Sequence, residues 1–190
     1  MRLVVAAVLL LAWSSARALP GPVPSSVSLG NSIQEVRKAC ASLKGVVEEL
    51  DAVVPQQLAD GLVRSGLLVM LNRSGAKHSL LERPGERGVV FLRATAEGKV
   101  LLFAFAGGKL EAVLARVTVA PDREVSGGGN PFEPRRLDPI KAFLGGMKKQ
   151  CGLKPRDKGE NHFVFTGRCG ASVYLEYRPE DDEFAVLYHR

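Results

Sequence analysis

The sequence is poor in the residues on which most catalytic and metal sites depend. Only three histidines occur among its 190 residues, and none stands in the HExxH spacing of a zinc site. A serine nucleophile elbow of the GxSxG type is also missing, because residues 170–174 (GASVY) lack the second glycine. In residues 107–110 (GGKL) the lysine precedes leucine, which favours a hairpin turn over a phosphate-binding loop. We therefore expect no metal and no cofactor, and no motif identifies an enzyme.

Long apolar runs are scarce too, and the informative one lies at the N-terminus. Met1-Arg2 is followed by the apolar stretch Leu3 to Trp13 and by the small-x-small pattern of residues 16–18 (ARA). This layout predicts a secretory signal peptide over residues 1–18, cut after Ala18. No later stretch reaches the ~20 apolar residues that a membrane span needs. We expect a secreted or periplasmic protein without a transmembrane segment.

Cleavage would leave a chain without tryptophan and with little net charge. Trp13 is the only tryptophan, and the loss of Arg2 and Arg17 lowers the formal charge from +6 to +4. Aromatic platforms for sugars or single-stranded nucleic acid rely on stacking, which disfavours both ligands here. A modest positive charge that is spread along the chain serves solubility, so we expect no nucleic-acid partner.

The first half of the mature chain predicts a helix and a β-meander. Residues 19–31, rich in proline, serine and glycine, predict an extended arm. Ser32 and Glu35 have the spacing of a capping box, and apolar residues continue at helical spacing from Ile33 to Leu50. Residues 54–71 fit a buried strand or a buried helix, which periodicity does not separate.

Three β-rich segments follow and complete a first module over residues 32–120, which carries a long insertion at about residues 46–87. They lie at residues 89–94, 100–106 and 110–119, with Glu97-Gly98 and Gly107-Gly108 as hairpin turns. The glycine- and proline-rich residues 121–137 predict a linker.

The second module, residues 138–190, repeats this plan. Asp138-Pro139 predicts the start of a helix whose apolar stripe includes Met147. A basic loop over residues 154–158 comes next. Three strands are then predicted, at residues 162–167, 172–178 and 183–188.

The two halves also share residues. A gap-free alignment of residues 100–117 with 173–190 gives five identities: Val100/Val173, Leu102/Leu175, Ala112/Ala185, Val113/Val186 and Leu114/Leu187. Apolar alternation alone makes strands resemble one another, so two unrelated segments are the alternative. We predict an α+β fold in which helices pack on one face of an antiparallel β-meander, as two related modules in tandem.

Three cysteines are an odd number for an exported chain. We predict a disulfide between Cys151, at a helix end, and Cys169, at a strand start; a Cys40–Cys151 link and the absence of any bridge are the alternatives. Closing the 151–169 loop stabilises by about 3 kcal/mol in the chain-entropy model. Cys40 then remains as a buried small apolar residue. Asn72-Arg73-Ser74 is a glycan acceptor whose use depends on the host.

Two charged features are candidate sites. Glu180, Asp181, Asp182 and Glu183 form an acidic run at the turn before the last strand, where it can dock a basic protein by electrostatic steering. A solvated loop is the alternative. The spacing also allows His162 and His189 to be neighbours across the second sheet.

These features favour a non-enzymatic exported protein that acts through protein–protein contacts, as an inhibitor or as an accessory protein of the envelope or extracellular space. The loops at residues 73–87 and 179–183 would carry the contacts. A small exported hydrolase or transferase that uses His162, His189 and Glu176 is the first alternative. A carrier of an apolar small ligand is the second.

Overall fold

The computed structural model describes residues 18–43, 45–50, 58–75, 77, 80, 89–96, 98–118, 144–149, 155–157, 162–165, 171–178, 181 and 183–190. The helices are α1 (Ile33–Cys40), a short 3-10 helix (Ala41–Leu43) and α2 (Leu58–Arg73), and residues 144–149 are also helical. The strands are β1 (Val46–Leu50), β2 (Val89–Ala96), β3 (Lys99–Ala106), β4 (Lys109–Thr118), β5 (Pro155–Asp157), β6 (His162–Phe165), β7 (Ser172–Arg178) and β8 (Glu183–His189).

The eight strands of the described residues form one antiparallel sheet, in the order β1-β2-β3-β4-β8-β7-β6-β5. Each half of the chain contributes four of them, consecutive in sequence. The halves meet where β4 pairs with β8, with Leu114 opposite Leu187. The prediction of an α+β fold with antiparallel sheet is confirmed.

Both faces of the sheet are covered, so the prediction of helices on one face is wrong. On the first face, called the arm face, Val36 of α1 and Met147 of the segment 144–149 join the residues of arm 19–31 in one buried cluster. On the opposite face, called the α2 face, Leu67, Met70 and Leu71 of α2 lie in a second buried cluster. The central strands therefore need apolar residues on both sides, as in the unbroken run 101–105 (LLFAF) of β3, all buried.

The arm packs tightly although it contains neither helix nor regular strand. Leu19, Val23, Val27 and Leu29 are each less than 8% exposed. The Leu19 amide donates to the Val27 carbonyl at 2.9 Å, and the buried Tyr188 hydroxyl donates to the Pro20 carbonyl at 2.6 Å. Burial raises the pKa of Tyr188, which keeps this donor protonated.

Helix α1 begins as predicted but ends ten residues early. The Ser32 hydroxyl accepts from the Glu35 amide, and the Glu35 carboxylate accepts from the Ser32 amide, which confirms the capping box. The prediction that the helix continues to Leu50 is wrong, because residues 46–50 are strand β1. Gly45 lies where β1 approaches β2, and a Cβ there would come within 1.9 Å of the Thr95 carbonyl oxygen. This close approach requires glycine at the start of the strand.

The remaining first-half elements follow the sequence closely. The ambiguous segment 54–71 is helix α2 from Leu58 onward. Strands β2, β3 and β4 confirm the predicted meander. Gly98, Gly107 and Gly108 have positive φ angles of 64°, 58° and 76°, which tight hairpin turns require and glycine adopts without strain.

In the second half, strands β6, β7 and β8 confirm the three predicted strands. The basic stretch 154–158 is not wholly a loop, because residues 155–157 form edge strand β5. Met147, from the predicted apolar stripe, is 1% exposed within the helical segment 144–149. The predicted helix start at Asp138-Pro139 and the linker 121–137 lie outside the described residues.

Candidate functional site

The most polar part of the described interior surrounds Glu176 on the α2 face of β7. Successive side chains of a strand point to opposite faces, so Val173, Leu175 and Tyr177 enter the cluster of the arm face. Tyr174 enters the opposite cluster, which places Glu176 on the α2 face as well. The Glu176 side chain is only 8% exposed. A carboxylate this deeply buried needs partners, since an unpaired buried charge is costly.

Two arginines supply the partners. Nη1 of Arg73, in the last turn of α2, lies 3.1 Å from both Oε1 and Oε2 of Glu176. Nε of Arg178, two residues along β7, donates to Oε1 at 3.1 Å. His162, opposite Glu176 on β6, places Nε2 3.9 Å from Oε2 and stacks on Tyr174 with ring centroids 6.1 Å apart.

The arginines keep Glu176 ionised. Burial alone raises the pKa of this carboxyl, but hydrogen bonds and charge from Arg178 and Arg73 outweigh burial, and the pKa lies below its usual value. A carboxylate with a lowered pKa and saturated oxygens is a weak proton donor and a weak base near neutral pH. The arrangement therefore orients cations better than it transfers protons.

The charges continue toward the β7–β8 turn as a row that we call the charge ladder: Arg73, Glu176, Arg178, Glu183 and Arg116. Nε of Arg116 donates to Oε1 of Glu183 at 2.8 Å, and Nη1 of Arg178 lies 4.0 Å from the same oxygen. Positive and negative side chains alternate along the ladder. It spans α2, β7, β8 and β4, and so fixes the base of the β7–β8 hairpin.

The described residues of the predicted acidic run, Asp181 and Glu183, differ in their exposure to solvent. Glu183 belongs to strand β8 and its side chain is 13% exposed in the ladder, so it is not offered to a partner. Asp181 is exposed at the turn, and its amide donates to the Arg178 carbonyl at 3.3 Å. Glu180 and Asp182 lie outside the described residues.

His162 and His189, which the spacing allowed to be neighbours, lie apart in the sheet. His162 lies opposite Glu176, which lies opposite Ala185, whereas His189 lies opposite Ser172. Four residues of strand separate the two positions, about 13 Å at the usual rise per residue. The proposed histidine pair thus does not form, although Glu176 and His162 come together.

The cysteines give no reactive site within the described structure. Cys40 is fully buried and free, and burial raises its pKa to about 11, so the nucleophilic thiolate is suppressed. This confirms its prediction as a small core residue. The predicted bridge partners Cys151 and Cys169 lie outside the described residues. Within the described ranges, no group of three acidic, histidine or cysteine side chains is placed to hold a metal.

The arginines of the charge ladder were not predicted as site residues from the sequence. The Glu176/Arg178 spacing places both on one face of a strand and was a usable signal. No sequence signal connected Arg73 with Glu176, because the two residues are 103 positions apart in the chain.

Comparisons with models of known protein families, with curated proteins and with solved structures gave no match. None of the described helices is long and apolar enough to span a membrane.

Proposed function

We propose that the protein is exported, is cut after Ala18, and binds a protein partner at the acidic end of the β7–β8 hairpin, as an inhibitor or accessory protein. The observation that carries this proposal is the charge ladder beneath the turn. Arg116 and Arg178 hold Glu183, and Glu176 holds Arg178, so the hairpin base is fixed in place. A fixed base presents Asp181 with little loss of conformational freedom on binding.

The chemistry around Glu176 gives less support to an enzyme. General acid–base catalysis works best with groups whose pKa lies near the working pH. Glu176 has its pKa lowered by two arginines, and His189 lies on another part of the sheet. The same residues serve well as a structural support for a binding surface.

Packing at the N-terminus supports the proposed cleavage position. Ala18 is exposed, whereas Leu19 is 3% exposed and belongs to the buried cluster of the arm face. A cut after Ala18 would leave the packed arm complete. Mass spectrometry of the exported protein is expected to show Leu19 as the first residue, and a start downstream of Val23 would contradict the proposal.

We also propose that the two halves descend from one duplicated module. Ala112/Ala185, Val113/Val186 and Leu114/Leu187 keep the same faces in β4 and β8, and the last pair lies at the junction of the halves. Leu102 and Leu175 occupy opposite faces. The register shift in the β3–β4 pair accounts for this inversion, because one extra residue reverses the facing of a strand.

The binding proposal is tested by capture with a C-terminally tagged protein expressed with its own leader. The test variant carries Glu180→Lys, Asp181→Lys and Asp182→Lys and keeps Glu183 for the ladder. The control reverses two exposed lysines elsewhere, Lys148→Glu and Lys149→Glu. We expect a stoichiometric protein partner that the test variant loses and the control retains. Retention by both variants, or recovery of the protein alone at every salt concentration, would contradict the proposal.

A further inference from the structure

Two arginines and a histidine surround the buried carboxylate of Glu176. Their exposure differs sharply from that of the carboxylate: 51% for Arg73, 26% for Arg178 and 35% for His162, against 8% for Glu176. Solvent and any ligand on this side therefore meet these three side chains first. Glu176 lies behind them and fixes their positions.

The arginines retain hydrogen-bond donors. Arg73 contacts Glu176 through Nη1, and among the described residues its Nε and Nη2 have no partner. Arg178 contacts Glu176 through Nε, and its Nη1 approaches Glu183 only to 4.0 Å. A guanidinium group with two free N–H donors matches the two oxygens of a carboxylate.

The surroundings favour a singly charged ligand. Glu176 contacts both arginines and Glu183 lies 4.0 Å from Nη1 of Arg178, so these two carboxylates offset much of the positive charge of the site. Recognition here must rest on oriented hydrogen bonds more than on net charge, which disfavours a dianion such as free phosphate. A carboxylate carried by a peptide fits these conditions.

We propose that Arg73, Arg178 and His162 form a carboxylate-binding site for an acidic segment of the protein partner, with Glu176 as the positioning residue. The inference rests on the proposed binding function and adds to it. The partner's surface then has a basic patch for the acidic turn and, beside it, an acidic side chain for this site. A partner whose surface is only basic or only acidic would match one of these two sites and be repelled by the other, which gives specificity.

The probe is a blocked peptide with a single glutamate among glycines and serines, titrated into isotope-labelled mature protein and followed by NMR of the His162 ring and the arginine Nε groups. Acetate and inorganic phosphate serve as separate arms. We expect saturable shifts with the peptide, weaker shifts with acetate, and an affinity at least about tenfold lower in Arg73→Gln, because it removes a charged hydrogen-bonding group. Arg37→Gln is the control, since Arg37 is a similarly exposed arginine paired to Glu49 elsewhere on the protein.

Glu176→Gln distinguishes positioning from simple electrostatics. Removing a negative charge would strengthen binding of an anion if only charge mattered, whereas loss of orientation would weaken it. We expect weaker binding. Equal binding by Arg37→Gln and Arg73→Gln, or phosphate binding as tight as the peptide, would overturn the proposal. If Glu176→Gln does not fold, Arg178→Gln provides the second test.

The site and the proposed function fail in different ways. If capture depends on residues 180–182 but the single-glutamate peptide causes no shift, the carboxylate site is wrong and the partner proposal stands. If the peptide binds, Arg73→Gln abolishes its binding and no partner is captured, the anion site stands and the partner proposal is wrong.

Discussion

Glu176 illustrates how a buried charge is retained at the level of a single residue. Its burial costs free energy, and the three contacts from Arg73 and Arg178 offset that cost. Arg73 is half exposed, so its ion pair with Glu176 is partly screened by solvent. The net gain in stability is therefore small compared with the loss expected when either partner is removed.

Replacement of Glu176 by glutamine is expected to destabilise the fold by about 1–3 kcal/mol near neutral pH. The folded-state pKa of Glu176 is lowered, so its stabilisation is present above the carboxyl's usual value and is lost as pH falls through the folded-state value. The gap in melting temperature between wild type and variant should therefore narrow from pH 5 downward. A constant gap would show that the carboxylate charge contributes nothing. Glu111→Gln, at a looser pair with Arg190, is expected to change stability less.

Gly45 is a second residue whose identity is set by its surroundings. Gly45→Ala forces a Cβ onto the Thr95 carbonyl oxygen, and we expect a loss of about 1–3 kcal/mol, as in other overpacked sites. Gly145→Ala is the matched control, because nothing lies within 4 Å of its Cβ and the residue is exposed in a helical segment. It should gain up to about 1 kcal/mol. Urea midpoints measure both, and equal midpoints would show that β1 shifts freely.

Helix starts and turns that depend only on neighbouring residues could be predicted from local sequence signals. The capping box marks the start of α1, and Gly98 and the pair Gly107-Gly108 mark the two hairpin turns of the first half, because each signal acts over three or four residues. Strand β1 was missed, since its apolar residues also fit helical spacing and the reason for the break at Gly45 lies on β2. Arm 19–31 was predicted as extended, and its composition alone gave no sign that it packs against Tyr188.

The arm's attachment to β8 is testable as an element. Tyr188→Phe leaves the Pro20 carbonyl buried without its donor, which is expected to cost about 1–3 kcal/mol. Hydrogen exchange of the Val27 and Gly30 amides should accelerate, because both are bonded within or beside the arm. Tyr177→Phe is the control, since its hydroxyl has no hydrogen bond among the described residues. Unchanged exchange in Tyr188→Phe would show that apolar packing alone holds the arm.

At the level of the whole molecule, the sequence predicted a meander in each half but not how the halves combine. The pairing of β4 with β8 joins positions more than sixty residues apart, and no local pattern encodes it. A linker between modules suggested separate sheets. The unbroken apolar runs of β3 and β8 were the available sign that the central strands are covered on both faces. His162 lies near Glu176, but His189, the third residue of that predicted group, does not join them. Of the two arginines around Glu176, Arg178 is a strand neighbour, whereas Arg73 reaches it across 103 residues of chain.

A continuous sheet should unfold as one unit. Tyr174, Tyr177 and Tyr188 are the only tyrosines and all lie in the second half. Trp13, the only tryptophan, leaves with the leader under the proposed cleavage, so tyrosine fluorescence of the cut protein would report on the second half alone. Far-UV circular dichroism reports on both halves. We expect the two urea transitions to coincide. Leu187→Ala, at the junction, should lower the free energy of unfolding obtained from each of them by about 2–5 kcal/mol, since the leucine is fully buried. A dichroism transition without a fluorescence counterpart would instead show that residues of the first half fold independently, as separate tandem modules would.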